Sequence, residues 1–205
     1  MAAVFITFEG GEGSGKSTQS ELLARALTAS GRRVLRLREP GGTELGESLR
    51  ELLLHRRAGM SPEAELLLFL AARAELVRAV IRPALDDGVI VICDRFADST
   101  FAYQGYGRGL DLDRLRALND WATGGLVPDL TVLLDLPTDE GLQRKHTETD
   151  VFQREDIEFH QRVREGYLAL AKAESQRWLV MDGTADITEI AALIKSTVDR
   201  ILTVA

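Results

Sequence analysis

The sequence predicts an α/β fold in three layers: a five-stranded parallel sheet with helices on both faces and a short mobile lid. Two observations predict it. Short apolar runs alternate with longer stretches of helical spacing along the whole chain. Such alternation is the pattern of a parallel sheet whose crossovers are helices. The first apolar run leads directly into Gly10-Gly11-Glu12-Gly13-Ser14-Gly15-Lys16-Ser17, and a helical stretch follows. That string is the complete G-x-x-x-x-G-K-[ST] phosphate-binding loop, in the strand–loop–helix context the motif requires.

The strand runs are 4–8, 34–37, 89–93, 130–136 and 178–181. Each is largely apolar, as strands covered on both faces are. Helical spacing extends over 17–30, 44–54, 62–86, 112–123, 139–146, 156–176 and 187–202. In the first of these, Leu22, Leu23, Ala26 and Leu27 share a face. Thr43 is placed to cap the second and Pro62 to occupy the first turn of the third. The leucine-rich stretch 63–81 suits either a buried helix or a subunit interface. Residues 144–156 are polar and charged with few apolar anchors, which suits a lid drawn from weakly packed structure. An ordinary solvated helix–turn–helix is the other reading. His146 and His160 read as helix-surface residues.

Length and composition bound the rest. The 205 residues suffice for one domain spanning 1–205 with a sizeable core. Apolar content of 45% excludes a disordered chain. A net charge of −7 argues against non-specific nucleic-acid binding. Cys93 is the single cysteine, inside an apolar run, so it reads as a buried, inert thiol. No signal peptide or membrane-length apolar stretch is visible, which predicts a soluble cytoplasmic protein that does not engage membranes.

The chemistry gathers at the carboxyl ends of the strand runs, where ligands bind in open α/β sheets. Lys16 is positioned for the β- and γ-phosphates of a nucleoside triphosphate, and Ser17 for Mg²⁺. With Thr18, residues from Gly10 onward form the donor-binding set. Asp94 ends the third strand run and faces the metal or its water shell; Arg95 beside it suits a second phosphate, or else a surface salt bridge. Arg38, Glu39 and Pro40 close the second run, where turn chemistry explains the proline but not the two charges. Arg50 lies within reach of the same phosphate. Phe69 and Arg73 are four residues apart, on one helix face. They read either as a base-stacking ring with a carbonyl donor or as a core Phe beside a surface Arg. Ser99, Tyr103 and Gln104 bring hydrogen-bonding groups into an apolar stretch, as a nucleotide pocket does.

Over nearly its whole length the chain resembles the thymidylate kinase family, in the bacterial form with Glu in the phosphate loop. The resemblance rests on Phe8-Glu9-Gly10 entering that loop, Arg38-Glu39-Pro40-Gly41-Gly42-Thr43, and Phe69 with Arg73. It continues through Asp94-Arg95-Phe96 to Ser99 and Ala102-Tyr103-Gln104-Gly105, then Phe159-His160 to Gly166-Tyr167. It implies phosphoryl transfer from ATP, with Mg²⁺, to dTMP, and a homodimer. By the same resemblance Phe69 stacks on thymine, Arg73 donates to its carbonyl, and Ser99 and Gln104 complete the base contacts. Tyr103 crowds the 2′ position. Arg95, with Arg50 and Arg38, holds the acceptor phosphate, and Glu9 meets the sugar hydroxyl or the metal shell. The family's lid arginine is replaced here by Val151, which leaves Arg144, Lys145 and Arg154 as candidate lid cations. Another nucleoside monophosphate kinase, or a deoxynucleoside kinase, is the rival enzyme. A nucleotide-gated switch would carry an Asn-Lys-x-Asp string, which does not occur.

Overall fold

A computed structural model describes residues 3–55, 59–144, 151–152 and 155–204. Its five strands are β1 (Phe5–Glu9), β2 (Val34–Arg38), β3 (Ile90–Asp94), β4 (Leu130–Asp135) and β5 (Trp178–Asp182). They form one sheet in the order β2-β3-β1-β4-β5, and every pair is parallel. The chain builds one side of β1 first and then the other, so the order reverses at β1, where ligands enter such sheets. All five carboxyl ends lie along one edge.

Helices cover both faces. On one side α1 (Lys16–Ala29) and α9 (Ile187–Val204) pack through Leu23, Leu27, Ile190, Ile194 and Val198 onto Val4, Ile6, Phe8, Ile90 and Ile92. On the other lie α3 (Pro62–Leu76), α4 (Arg82–Asp86), α5 (Ala97–Thr100) and α8 (Ile157–Ala173). Their cores contain Phe5, Leu76, Ile81, Val91, Cys93 and Phe96, and, around α8, Leu133, Phe159, Val163 and Tyr167. The remaining helices are α2 (Glu44–Leu54), α6 (Leu112–Thr123) and α7 (Thr138–Arg144).

Strand parity decides which residues meet. Successive side chains of a strand point to opposite faces. In β1, Ile6 and Phe8 face α1, so Glu9 must face α8 with Phe5 and Thr7. In β3, Ile90 and Ile92 face α1, so Asp94 does too.

Local signals act as expected at two helix starts. Thr43 accepts from the Gly46 amide at 2.9 Å, and Pro62 opens α3 behind the Ser61 cap. Two elements differ from expectation. The stretch 62–86 is helical throughout, but residues Val77–Ile81 wind as a π-helix between α3 and α4. Residues 97–107 are helical as well: α5 runs into a second π segment, Phe101–Gly107. His160 is 5% exposed on α8, its ring 5.5 Å from Phe159, so it is a core residue and not a surface one. His146, Lys145 and Arg154 lie outside the described residues, as does most of the expected lid. Among the described residues no helix is long and apolar enough to cross a membrane.

Candidate active site

The phosphate loop sits between β1 and α1. Gly10, Gly13 and Gly15 all have positive φ, which curls the backbone into the concave turn a phosphate-binding loop needs. Gly13 has a second reason to be glycine: a Cβ there would come within 2.2 Å of the Gly141 carbonyl oxygen on α7. The N-cap of α1 is Gly15, which supplies no side-chain cap, so the first amides of the helix are left for an anion.

Lys16 is only 8% exposed. Its ammonium donates to the carbonyls of Gly10 (3.1 Å) and Gly11 (2.6 Å) and to Ser14 Oγ (3.2 Å). Burial lowers its pKa to about 8, and the Arg95 guanidinium pushes the same way. Ser17 Oγ donates to Asp94 Oδ2 at 2.5 Å, as the parity of β3 requires. A hydroxyl and a carboxylate in contact at the cleft edge are hard oxygen ligands, and they fit a Mg²⁺ that keeps most of its waters.

Arg95 is the one non-glycine residue with positive φ (71°) among those described. Such a conformation is strained, and surrounding contacts must hold it. Its Nη2 donates to Glu12 Oε1 (2.8 Å) and the Tyr103 hydroxyl (3.1 Å), and the guanidinium lies 4.9 Å from the Tyr103 ring centre. Its Nη1 donates to the Gly10 carbonyl, Ser99 Oγ and the Tyr167 hydroxyl at 3.2–3.3 Å. These contacts turn the fork toward the phosphate loop.

Glu9 is fully buried. Oε1 accepts from the Phe96 amide (2.8 Å); Oε2 accepts from Ser99 Oγ (2.6 Å) and the Tyr167 hydroxyl (2.8 Å). Burial, reinforced by the nearby Asp98 carboxylate, raises its pKa to about 7 despite these donors.

Arg73 is 1% exposed and is no surface residue. Nε and Nη2 both donate to Glu39 Oε2 (2.9 and 2.6 Å), Nη1 to Thr100 Oγ1 (2.7 Å) and Asn119 Oδ1 (2.6 Å), and Nη2 also to the Phe96 carbonyl (3.0 Å). All five of its N–H groups are therefore engaged. Phe69 is half-buried beside it, its ring 5.9 Å from Phe152. Gln104 lines the same space but gives its amide to Glu65 (2.9 Å). Arg50 donates to the Pro40 carbonyl at 2.9 Å. Arg38 is exposed and pairs with Glu47 at 2.8 Å. Arg144 ends α7 and donates to the Gly183 carbonyl at 3.2 Å, beside the start of α9.

One cleft of about 390 Å³ joins these groups. Loop residues 12–18, Asp94, Arg95 and Arg144 line it together with Arg38, Glu39, Pro40, Arg50, Phe69, Arg73, Ser99, Tyr103 and Gln104. Glu9 lies beneath it. Sequence reasoning missed Leu54, Thr100 and Phe152, which also line the cleft, and gave Tyr167 no role. Thr100 adjoins Ser99 and could have been noticed; Leu54 and Phe152 read as ordinary apolar residues.

A family model described as Thymidylate kinase matches residues 8–194. A protein of a Synechococcus strain named thymidylate kinase is 55% identical over 196 residues, covering 96% of this chain and 94% of its own. One from Leifsonia xyli with the same name is 52% identical over 199 residues, covering 96% and 94%. The crystal structure of thymidylate kinase from Ehrlichia chaffeensis is similar to this fold, with a TM-score of 0.81 at 39% identity, covering 97% of this chain and 99% of that one.

Proposed function

The chain belongs to the thymidylate kinase family and transfers the γ-phosphoryl of ATP to dTMP, giving dTDP and ADP; from that premise we propose which residues do the work. A single cleft with a phosphate loop at one end and an arginine-and-aromatic pocket at the other supports two nucleotides meeting phosphate to phosphate. Gly10 to Thr18 take the donor, with Lys16 at its terminal phosphates. Ser17 and Asp94 are suited to hold Mg²⁺, which when bound offsets phosphate charge.

On the acceptor side, Arg95 faces the incoming phosphate, helped by Arg50 and, from the rim, Arg38. The ring of Phe69 stacks on the base. Arg73 serves the base carbonyl by sharing an N–H now given to Thr100 or Asn119. Glu39 and Pro40 close the pocket behind it, with Ser99 and Gln104 at the base edge and Tyr103 against the sugar. Glu9 orients the sugar end and the Arg95 fork. No covalent nucleophile is needed, because phosphoryl transfer is mostly positioning and charge neutralisation. Arg144 belongs to the donor side, where its contact with Gly183 supports a place near the adenine. Arg154 remains the second lid cation of this proposal, and residues 144–156 its lid, within one domain.

A homodimer is also proposed. Leu67 on α3 and Trp121 on α6 are 57% and 84% exposed, on helices that pack against each other, and large apolar side chains left in water suit a subunit contact. A cytoplasmic location fits this chemistry. The decisive experiment is a coupled assay with dTMP, dUMP, dCMP, dGMP and thymidine as acceptors. We expect dTMP to be preferred by kcat/KM; preference for another acceptor overturns the assigned base pocket.

A further inference from the structure

Tyr167 stands on α8, far along the chain from the phosphate loop, yet its hydroxyl reaches Glu9, Ser99 and Arg95 at the floor of the site. The residue is 1% exposed. Its hydroxyl donates to Glu9 Oε2 at 2.8 Å, lies 2.8 Å from Ser99 Oγ, and accepts from Arg95 Nη1 at 3.2 Å. Ser99 also hydrogen-bonds to both Glu9 and Arg95, but it comes from the same turn as Arg95. Tyr167 alone brings in a separate helix.

Packing does not require that oxygen. The ring sits among Tyr103, Phe159, Val163 and Leu133, where phenylalanine would fill the same space. A buried hydroxyl is costly unless its hydrogen bonds are made. Here they are made to two groups assigned to the acceptor. Arg95 also has a particular need of support, since its backbone is held at φ 71° and its other Nη1 contacts are both 3.3 Å.

We propose that Tyr167 is a positioning residue for the acceptor nucleotide: its hydroxyl fixes the Arg95 fork and the Glu9 carboxyl relative to each other. This rests on the reading of Arg95 as the clamp for the acceptor phosphate. The hydrogen bonds of Tyr167 go to Glu9, Ser99 and Arg95 and not to the phosphate loop itself. Its loss is therefore felt by dTMP and not by ATP, which a general packing defect would not reproduce.

Tyr167→Phe tests it. Steady-state kinetics should show the KM for dTMP raised at least about fivefold, with the KM for ATP within about twofold of the parent and thermal stability little changed. An unchanged KM for dTMP overturns the proposal, as does a parallel weakening of both substrates with a lowered Tm. Calorimetric dTMP binding to Arg95→Lys and to the double variant completes the cycle. In the Arg95→Lys background Tyr167→Phe should add little; a full multiplicative loss means Tyr167 does not act through Arg95. If Arg95→Lys itself leaves dTMP affinity intact, the clamp reading falls. If it weakens dTMP while Tyr167→Phe does nothing, Tyr167 alone is wrongly assigned. Should Tyr167→Phe fail to fold, the hydroxyl is structural and the proposal fails.

Discussion

Arg73 and Glu39 form an ion pair with both side chains almost wholly buried, at 1% and 4% exposure. Removing one member of such a pair leaves a charge without its partner in a dry site, which costs about 3–5 kcal/mol. Arg73→Ala should therefore lose stability on that scale in urea denaturation, and Glu39→Gln in the same chain should restore part of it. A loss below about 1 kcal/mol would mean the pair is better solvated than its burial indicates. Glu9 offers a second test. Glu9 Oε2, Ser99 Oγ and the Tyr167 oxygen make three mutual contacts of 2.6, 2.8 and 2.8 Å. With Glu9 ionised, the two hydroxyls supply only two hydrogens for them, and a proton on Glu9 supplies the third. The folded carboxyl titrates near 7, against 4.5 in the unfolded chain. Between those values the folded state holds a proton that the unfolded state has released, so stability falls as pH rises through the window, by roughly 3 kcal/mol in full. Glu9→Gln does not titrate. Its stability relative to the parent should rise between pH 5 and pH 7.5, while turnover is lost; a difference that stays flat with pH would make Glu9 an ordinary carboxylate. The sequence marks Arg73 and Arg95 as candidate site residues by type and place, and Glu9 through the family resemblance. It does not reveal that Arg73 is engaged at every N–H, because Glu39, Thr100 and Asn119 lie far from it in the chain.

Helix α7 is short and ends at the cleft in Arg144, whose guanidinium meets Gly183 and lies 3.7 Å from Glu140. It is half-exposed and lines the cleft. We predict that Arg144→Ala raises the KM for ATP several-fold and changes kcat and the KM for dTMP less. A tenfold fall in kcat at constant KM would instead make Arg144 the cation of the transferring phosphoryl. Most elements are legible in the sequence because each carries one clear period. The stretch 44–54 is helical over the residues its spacing marks, with its threonine cap in place. The stretch 97–107 is not legible, for a physical reason. One turn of α-helix passes into wider π turns, so apolar residues no longer recur at helical spacing, and Gly105 and Gly107 lower the apparent propensity. Those glycines are needed for close approach. A Cβ on Gly107 would meet the Phe159 ring at 2.7 Å, so the wide segment lies directly against α8. The widened turns bring Ser99 and Tyr103 to the same guanidinium, an arrangement that α-helical spacing only partly anticipates.

For the molecule as a whole, the parallel sheet and its layers follow from the alternation of apolar runs, while the strand order does not. Nothing local in the chain encodes that β3 lies between β1 and β2. Parity, once that order is given, accounts for Ser17 meeting Asp94 on one face and Glu9 meeting Tyr167 on the other. The proposed dimer is tested at this scale. The parent should sediment as a dimer at micromolar concentration, and Leu67→Glu with Trp121→Glu as a monomer; a monomeric parent removes the interface. One further consequence comes from the pair Gly13 and Gly141. Backbone lies on backbone there, with Glu12 and Gly13 against the first turns of α7 and no side chain between. A flexible side chain would act as a cushion. Bare main chain acts as a rigid stop, so the loop has no room to yield toward α7, and any side chain added at either glycine would wedge the two apart.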